Sequence, residues 1–572
     1  MEKIEKLKKI LIREKLDGYL IPKNDEFFGE YIAKYNDRLN FISDFTGSYG
    51  FALILRNKNY LFVDGRYTLQ AKNQSGHSFK IITLPNKMPW DTLKEKKFSI
   101  GYDPNLLTKH FFDIFFKKTN IKFLPLKENL IDKIWQRKKL SKIKKFYVLP
   151  KKFSNQDYNF KIKKILNNLK KRNADFQFIS ASENCAWLLN IRGFDSEFSP
   201  LPHCYILIDC NKNILFFSDP KKISIKFKNK FKNIKFINTN FMSKILSEIS
   251  QKKFIIDKNT CSIFFENLIL AKNKILEQKD PIYFFKSIKT NNEIKNIQKA
   301  HIADGLALTK YLFWLKKNFN KKKITEISAS QRLSIFRNKN KDYLYPSFPT
   351  ISGTGPNGAI IHYRASKKTN LQIKKGDIYL VDSGGQYKFG TTDVTRTISL
   401  KNSDDRIKKI FTRVLKGHIA VANFNLKKNT TGAQIDKEAR KFLKKVGLDY
   451  AHGTGHGVGY FLNVHEGPQS ISKNNKTSFC EGMVISNEPG YYEKNKFGIR
   501  IENLIYVKKK RNKKVFENLT MAPIEKELID INLLNNKEKK WINDYHKKVF
   551  NNLKNGMYKN DLIELKKACS AI

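Results

Sequence analysis

The sequence predicts a mixed α/β protein of about three domains, and three observations support that fold class. The chain has 572 residues, too many for one core at about 100–200 residues per domain. A strand–turn–strand pattern in residues 52–64 recurs in residues 205–219, as a duplicated domain would produce. A capping box formed by Thr290 and Glu293 then marks a helix start, where a further domain begins.

The first two domains are predicted to be related α/β domains over residues 1–135 and 150–280. Each contains two apolar runs separated by a polar turn, which is the pattern of a β-hairpin. A second match pairs LNF at residues 39–41 with LNI at residues 189–191. A Lys-rich stretch, residues 137–142, is interpreted as the linker between the two domains.

The third domain is predicted to span residues 285–510 and to be followed by an extension over residues 511–572. Apolar residues at helical spacing follow the capping box, and most of the glycine-rich turns lie in this part of the chain. The extension contains an amphipathic segment at residues 541–549, which we interpret as a helix that could cover a partner subunit.

Charge argues against some classes of partner. Lys and Arg number 109 against 53 Asp and Glu, for a net charge of +56. The excess is mostly Lys spread along the whole chain, whereas phosphate recognition more often concentrates Arg on one face. We therefore expect no nucleic-acid partner.

Composition also indicates the compartment. No segment approaches the ~18 unbroken apolar residues of a membrane-spanning helix, and the first residues lack the apolar core of a secretory signal. The six cysteines form no C-x-x-C pair, which favours reduced thiols over disulfides or a zinc ribbon. We expect a soluble, cytoplasmic protein with no membrane partner.

Two aspartates lie on either side of a glycine-rich link. Asp382 ends an apolar strand and Asp393 lies in a second, alternating strand, with glycines between them. In a hairpin the two carboxylates would face each other with Cβ atoms ~4.5–5.5 Å apart. Their repulsion becomes favourable binding when a hard divalent cation such as Mn²⁺ lies between them. The pair alone also fits two solvated acids, so both interpretations stay open at this point.

Three histidines, His452, His456 and His465, occur in a segment opened by glycines. Glycine lets the backbone pack closely around a buried group. A phosphate cradle is not indicated, because no GxGxxG or GK[ST] pattern follows a strand here. A single histidine is usually structural, but three in so short a segment favour a functional site.

Two glutamates extend the set of acids. Glu488 ends an apolar strand before a Pro-Gly turn, and Glu502 shares one face of an alternating segment with Arg500. Together with the two aspartates they would place four negative charges on one buried face, which two divalent cations would balance. Four carboxylates and one histidine are a recognisable donor set for a two-metal site.

The segments that carry these residues resemble those of the pita-bread metallopeptidases. The motifs are VDSGG (381–385), TTDVTRT (391–397), GTGHGVG (453–459), NEPGYY (487–492) and GIRIEN (498–503). Within that superfamily the chain resembles the Xaa-Pro aminopeptidase family (aminopeptidase P) in its long three-domain form, through GYFLNVHEGP (459–468). The resemblance covers nearly the whole chain. It implies two tandem related α/β domains followed by a pita-bread (creatinase/aminopeptidase) catalytic domain.

The resemblance also implies a ligand set and a reaction. Asp393 and Glu502 would bridge two metal ions, His456 and Glu488 would complete one coordination sphere, and Asp382 would bind the other ion. A metal-bridging hydroxide would attack the bond between an N-terminal residue and proline. Glu488 would act as general base.

Further roles follow from the same resemblance. His362 and His465 would contact substrate and stabilise the oxyanion, and His452 would line the proline pocket. Arg500 would be a substrate-binding residue and would also hold a ligand carboxylate in position.

The implied cofactors are two Mn²⁺ ions per subunit, although Co²⁺ or Zn²⁺ also suits these ligands. The implied partners are peptides with proline at the second position and a second copy of the chain in a homodimer. Two alternatives stay open: a prolidase, which accepts only Xaa-Pro dipeptides, and a non-catalytic pita-bread binding module.

Overall fold

The computed structural model describes residues 2–93, 97–137, 143–154, 156–401 and 404–572. The chain forms two compact units, Met1–Ile282 and Tyr283–Ile572. Residues 138–142 of the predicted linker lie outside the described residues. The finer division at residues 135, 150, 280, 285 and 510 stays a prediction.

The first unit alternates short helices and strands. Its α-helices are α1 (Glu2–Arg13), α2 (Arg38–Ser43), α3 (Thr68–Ser75), α4 (Pro89–Leu93), α5 (Lys109–Phe115), α6 (Leu130–Ile134), α7 (Tyr158–Arg172), α8 (Ser182–Leu188), α9 (Ile225–Lys228), α10 (Met242–Glu248) and α11 (Ile263–Leu270). Its strands are β1 (Gly18–Pro22), β2 (Phe51–Leu55), β3 (Asn59–Asp64), β4 (Lys80–Leu84), β5 (Ser99–Tyr102), β6 (Lys122–Pro125), β7 (Tyr147–Val148), β8 (Phe176–Ile179), β9 (Ile191–Arg192), β10 (Tyr205–Asp209), β11 (Ile214–Ser218), β12 (Ile234–Asn238), β13 (Lys253–Ile256) and β14 (Lys274–Glu277).

Two six-stranded sheets of the same topology organise this unit. Their strand orders are β4-β3-β2-β1-β5-β6 and β12-β11-β10-β8-β13-β14. In both sheets the two pairings that form the hairpin and its neighbour are antiparallel, and the other three pairings are parallel. The predicted tandem of related α/β domains is therefore confirmed.

The sequence matches behind that prediction differ in value. The two predicted hairpins are present as the antiparallel pairs β2–β3 and β10–β11. The LNF and LNI matches are not equivalent: residues 39–41 lie inside α2, whereas residues 189–191 follow the end of α8. A three-residue match is too short to specify one backbone conformation, because the surrounding chain decides it.

The second unit contains longer helices around smaller sheets. Its α-helices are α12 (Ile282–Ser287), α13 (Asn291–Asn318), α14 (Glu326–Asn338), α15 (Asp405–Ala422), α16 (Gly432–Lys444), α17 (Asn536–Leu553) and α18 (Lys559–Ala568). Its strands are β15 (Tyr343–Pro346), β16 (Ile351–Thr354), β17 (Ile378–Ser383), β18 (Gly385–Tyr387), β19 (Gly390–Thr391), β20 (Val394–Ser399), β21 (Gly455–Gly457), β22 (Glu466–Ile471), β23 (Val484–Asn487), β24 (Gly490–Glu493), β25 (Phe497–Arg500), β26 (Asn503–Lys510) and β27 (Lys513–Asn518). A 3₁₀ helix spans Gly355–Ala359.

Helices cover the two main sheets of this unit. Apolar residues of α13 and α14 pack on β17 and β20 in the sheet β16-β17-β20. Residues of α15 and α16 pack on β23 and β26 in the sheet β22-β21-β23-β26-β27. The predicted capping box starts α13: the Thr290 hydroxyl accepts from the Glu293 amide at 3.2 Å, and the Glu293 carboxylate accepts from the Thr290 amide at 2.8 Å.

Helix α17, in the predicted C-terminal extension, packs on its own chain. Ile542, Tyr545 and Val549 are buried in one core with Val414 and Leu415 of α15. The amphipathic pattern was therefore correctly interpreted as a helix, and its apolar face packs on the same chain, whereas a partner subunit stays a prediction.

Two further features concern the whole chain. Among the helices of the described residues, none has both the length and the apolar character needed to span a bilayer. The six cysteines are free thiols.

Candidate metal centre

The four candidate acids lie at or beside strand ends in the second unit. Asp382 is near the end of β17, Asp393 directly precedes β20, and Glu488 directly follows β23. Glu502 lies between β25 and β26. Apolar residues within these strands pack against the covering helices. The polar candidate ligands lie at or beside the strand ends.

The register corrects the predicted hairpin. β17 and β20 are antiparallel, as expected, but Asp382 pairs with Thr395, so Asp382 and Asp393 are not directly opposite. The link between them is not a simple turn either, because β18 and β19 within it join β15 in another sheet. The two aspartates still interact, because the charge of Asp382 is among the causes that raise the pKa of Asp393.

His456 is placed by close backbone packing around β21. A Cβ at Gly455 would lie 1.9 Å from the Ser486 carbonyl oxygen, and one at Gly457 would lie 2.4 Å from the Glu466 carbonyl oxygen. Only glycine fits at either position. The Ser486 hydroxyl also accepts from the His456 amide at 2.9 Å, which ties β21 to β23.

The His456 ring is oriented for coordination. Its Nδ1 lies 2.9 Å from the Gly457 carbonyl oxygen, so Nδ1 carries the proton and donates. Nε2 then has a lone pair, 3.4 Å from Asp393 Oδ2 and 3.5 Å from Glu488 Oε1. A backbone carbonyl that fixes the tautomer in this way is typical of a metal-binding histidine.

Burial and mutual repulsion act on the acids. The pKa of Asp393 is raised well above its usual value, first by burial and then by the charges of Asp382 and Glu488. The pKa of Glu502 is raised well above its usual value by burial and by the same kind of repulsion from Asp393. The pocket therefore lacks positive charge for the carboxylates it gathers.

Arg500 supplies one positive charge next to Asp382. Its Nη2 donates to Asp382 Oδ2 at 2.6 Å, its Nη1 to the Tyr492 hydroxyl at 2.7 Å and its Nε to the Thr395 hydroxyl at 3.0 Å. Each nitrogen contacts a different group, so the paired fork on one carboxylate is not formed. Arg500 is buried behind the ligand carboxylate. Its role towards substrate stays a prediction.

His452 reaches Arg500 through Tyr492. Its Nδ1 donates to the Gly453 carbonyl oxygen at 2.7 Å, and its Nε2 accepts from the Tyr492 hydroxyl at 2.8 Å. Tyr492 thus connects His452, a half-buried candidate substrate-binding residue, to Arg500, which binds Asp382.

The two remaining candidate histidines are both half-buried. The His465 ring lies edge-on to the His456 ring, with centroids 4.3 Å apart. His362 lies between the 3₁₀ helix Gly355–Ala359 and β17, next to the buried Tyr363.

Sequence reasoning missed three supporting residues. The Thr395 hydroxyl donates to Glu502 Oε2 at 2.8 Å, and the Ser486 hydroxyl donates to Glu488 Oε1 at 3.1 Å. Tyr492 links His452 to Arg500, as above. Thr395 and Tyr492 lie within motifs that carry candidate ligands and Ser486 directly precedes one, which is the signal that could have found them.

Arg396 was missed as well, although it follows Thr395 directly. Its guanidinium is buried and has only uncharged acceptors among the described residues. These are the carbonyl oxygens of Thr395, Glu502, Ala522 and Pro523, Asn503 Oδ1 and the Tyr545 hydroxyl. Arg396 therefore connects the backbone of a candidate ligand to the segment that leads into α17.

The residues present fit divalent cations. Ligand atoms of Asp393, His456 and Glu502 all lie within 4.8 Å of one another. Asp382 Oδ1 is buried and has no hydrogen-bond partner among the described residues. Oxygen donors with one imidazole suit Mn²⁺, Co²⁺ or Zn²⁺, and two such ions would balance the four carboxylates.

A helix-covered fold with a candidate two-metal centre of carboxylates and one histidine defines a metallopeptidase class. Residues 295–509 match metallopeptidase family M24, and residues 515–572 match the C-terminal region of that family. Residues 3–134 and 136–293 each match a creatinase/prolidase N-terminal domain. The chain belongs to metallopeptidase family M24.

Two relatives of this chain are named as Xaa-Pro aminopeptidases. The chain is 38% identical over 574 residues to the probable Xaa-Pro aminopeptidase P of Laccaria bicolor, covering 95% of this chain and 89% of the relative. It is 38% identical over 583 residues to Xaa-Pro aminopeptidase 1 of Dictyostelium discoideum, covering 96% and 92%.

Two solved structures have a fold similar to that of this chain. The X-prolyl aminopeptidase of Caenorhabditis elegans, a cytosolic enzyme with a di-nuclear active site, superposes with a TM-score of 0.94 and 29% identity. The match covers 100% of this chain and 99% of that one. The prolidase of Pyrococcus horikoshii matches with a TM-score of 0.53 and 27% identity, over 64% of this chain and 99% of that one. The predicted pita-bread catalytic domain is thereby confirmed.

Proposed function

We propose that this chain is an Xaa-Pro aminopeptidase, which removes the N-terminal residue from peptides with proline at the second position. The observation that carries the proposal is that ligand atoms of Asp393, His456 and Glu502 lie within 4.8 Å of one another, with Asp382 and Glu488 beside them. The Xaa-Pro aminopeptidase relatives match along nearly the whole chain. The shorter prolidase match does not favour the dipeptidase alternative.

We propose that Asp382, Asp393, His456, Glu488 and Glu502 would hold two divalent cations, with Mn²⁺ as the proposed metal. When bound, such ions lower the pKa of water and polarise the scissile carbonyl. The protein holds the ligands in place beforehand through Thr395 and Ser486.

Glu488 is the proposed general base. Its side chain is 17% exposed, compared with 5% for Asp393, so it is the more accessible of these two carboxylates to water and substrate. Ser486 fixes Oε1, and Oε2 has no hydrogen-bond donor among the described residues. Glu488 would accept a proton from the attacking water and pass it to the leaving proline nitrogen.

The histidines would handle the substrate. His362 and His465 would donate to the oxygen that gains charge in the transition state, and His452 would border the proline. Arg500 would keep the Asp382 carboxylate oriented. We further propose a cytoplasmic location and a homodimer, with no nucleic-acid or membrane partner.

One assay tests the reaction. Protein stripped with chelator and reloaded with Mn²⁺ is offered matched peptides Xaa-Pro-Yaa, Xaa-Ala-Yaa and Xaa-Pro. Release of the first residue from Xaa-Pro-Yaa alone or together with Xaa-Pro supports the proposal. Cleavage of Xaa-Pro only indicates a prolidase, and no cleavage with any metal indicates a binding module.

A Glu488→Gln variant tests the base. It should still bind Mn²⁺, but turnover should fall by about 100-fold or more, because general base catalysis contributes about 10²–10⁴. The matched control is Glu493→Gln, because Glu493 forms its ion pairs with the exposed residues Arg406 and Lys496. Full activity of Glu488→Gln, or an equal loss in both variants, would refute the assignment.

A further inference from the structure

Glu326 is a buried carboxylate without a counter-ion. It is the first residue of α14 and is fully buried. No Lys, Arg or His among the described residues forms an ion pair with it, although most buried carboxylates are paired. An unpaired charge at such a place needs strong hydrogen bonding to be tolerated.

Hydrogen-bond donors surround this carboxylate. Oε1 accepts from the Thr354 amide at 2.8 Å and from Asn357 Nδ2 at 3.1 Å. Oε2 accepts from Asn357 Nδ2 at 3.0 Å, the Tyr363 hydroxyl at 2.8 Å and the Leu371 amide at 2.9 Å. Burial raises the pKa of Glu326, and these donors oppose that rise.

The donors all belong to one segment. Thr354 is where the segment leaves β16, Asn357 lies in the 3₁₀ helix, Tyr363 in the middle, and Leu371 near the return to β17. The Glu326 amide also donates to the Leu371 carbonyl oxygen at 3.0 Å. One side chain therefore holds the beginning, middle and end of residues 354–371, which include His362.

The same segment packs beside the candidate metal centre. A Cβ at Gly498 of β25 would lie 1.7 Å from the Gly358 carbonyl oxygen, so the backbones touch two residues before Arg500. Tyr363 packs in a small core with Leu380 of β17, and Tyr492 packs against that core. A shift of the segment would move His362 relative to Asp382 and Tyr492.

We propose that Glu326 is a positioning residue that holds the segment 354–371, and with it His362, in place for the substrate. The catalytic part of this inference rests on the proposed function. The geometric part does not.

Glu326→Gln is the first test. A glutamine amide would turn a donor towards groups that donate, so at least one of the Thr354 and Leu371 amides would lose its acceptor. We expect kcat for Xaa-Pro-Yaa to fall about 10- to 100-fold, with KM and Mn²⁺ affinity nearly unchanged, because misplacement by about 1 Å costs this much. A rise in KM alone would overturn the proposal.

A double-mutant cycle separates positioning from general damage. In a His362→Ala background, Glu326→Gln should cost less than about 2-fold, because the residue through which it acts is gone. An equal cost in both backgrounds would show that Glu326 acts on the fold as a whole. Tyr363→Phe, which removes one donor, gives a milder second variant if Glu326→Gln does not fold.

Hydrogen exchange on the metal-free protein tests the geometric part without any activity. Amides in residues 354–371 should exchange faster in Glu326→Gln than in the wild type, and unchanged protection would overturn the proposal. Asp280→Asn is the matched control, because Asp280 is a buried acid of the first unit whose carboxylate accepts hydrogen bonds from Gln177, Asn184 and the Ile282 amide. It should leave this segment unchanged. If no Xaa-Pro peptide is cleaved but exchange rises, the proposed function fails and the positioning stands.

Discussion

Replacing His546 with Gln should flatten the dependence of stability on acid pH. His546 lies in α17 and is fully buried, and its Nε2 accepts from the Ile524 amide at 3.1 Å. A nitrogen that accepts a hydrogen bond has no room for a proton. Burial, followed by the charges of Lys526 and Arg396, lowers the pKa of His546 to about 3.

The magnitude follows from the two protonation equilibria. The unfolded chain takes up the proton near its ordinary pKa of 6.5, but the folded chain does so only near 3. The stability contributed by neutral His546 is thus complete above pH 6.5 and is lost as pH falls towards 3. Between pH 7 and pH 5 the loss is about 2 kcal/mol. Glutamine can accept the same amide hydrogen but does not titrate.

Urea unfolding of the metal-free protein at pH 5, 6 and 7 measures this difference. The free energy of unfolding should fall by about 2 kcal/mol less between pH 7 and pH 5 in His546→Gln than in the wild type. His77→Gln, at an exposed histidine, is the control and should follow the wild type. Parallel pH profiles for the wild type and His546→Gln would refute a neutral, accepting His546.

Two further predictions concern the candidate metal centre. Gly455→Ala should weaken Mn²⁺ binding measured by calorimetry by about 10-fold or more, because the new Cβ displaces β21 from the Ser486 carbonyl, and unchanged affinity would contradict this packing. Tyr492→Phe should lower the free energy of unfolding by about 2 kcal/mol in urea, because Arg500 and His452 each lose a hydrogen-bond partner, whereas a change below about 0.5 kcal/mol would contradict those contacts.

Local patterns predicted the elements whose cause is local. The hairpins β2–β3 and β10–β11 follow from apolar runs around a polar turn, and the start of α13 follows from its capping box. The register between Asp382 and Asp393 could not be predicted, because β18 pairs with the distant strand β15 and β19 pairs with β18. The amphipathic pattern of α17 showed that one face is buried but not against which surface.

The sequence reveals some residues of the candidate site and not others. Acids at the ends of apolar strands, and glycines around His456, are visible in the sequence. The roles of Glu326 and Arg396 are not, because two of the four donors to Glu326 and four of the six acceptors of Arg396 are backbone groups, which every residue possesses. Only the folded chain shows which carbonyls and amides meet such a side chain.

The position of Arg396 has a consequence for the order of synthesis. Three of its acceptors belong to Ala522, Pro523 and Tyr545, which leave the ribosome well after Glu502. A nascent chain that has just completed β26 already contains every candidate metal ligand. The Arg396 guanidinium of that chain still lacks the acceptors of Ala522, Pro523 and Tyr545. Arg396 therefore completes its set of hydrogen bonds only after α17 has emerged from the ribosome.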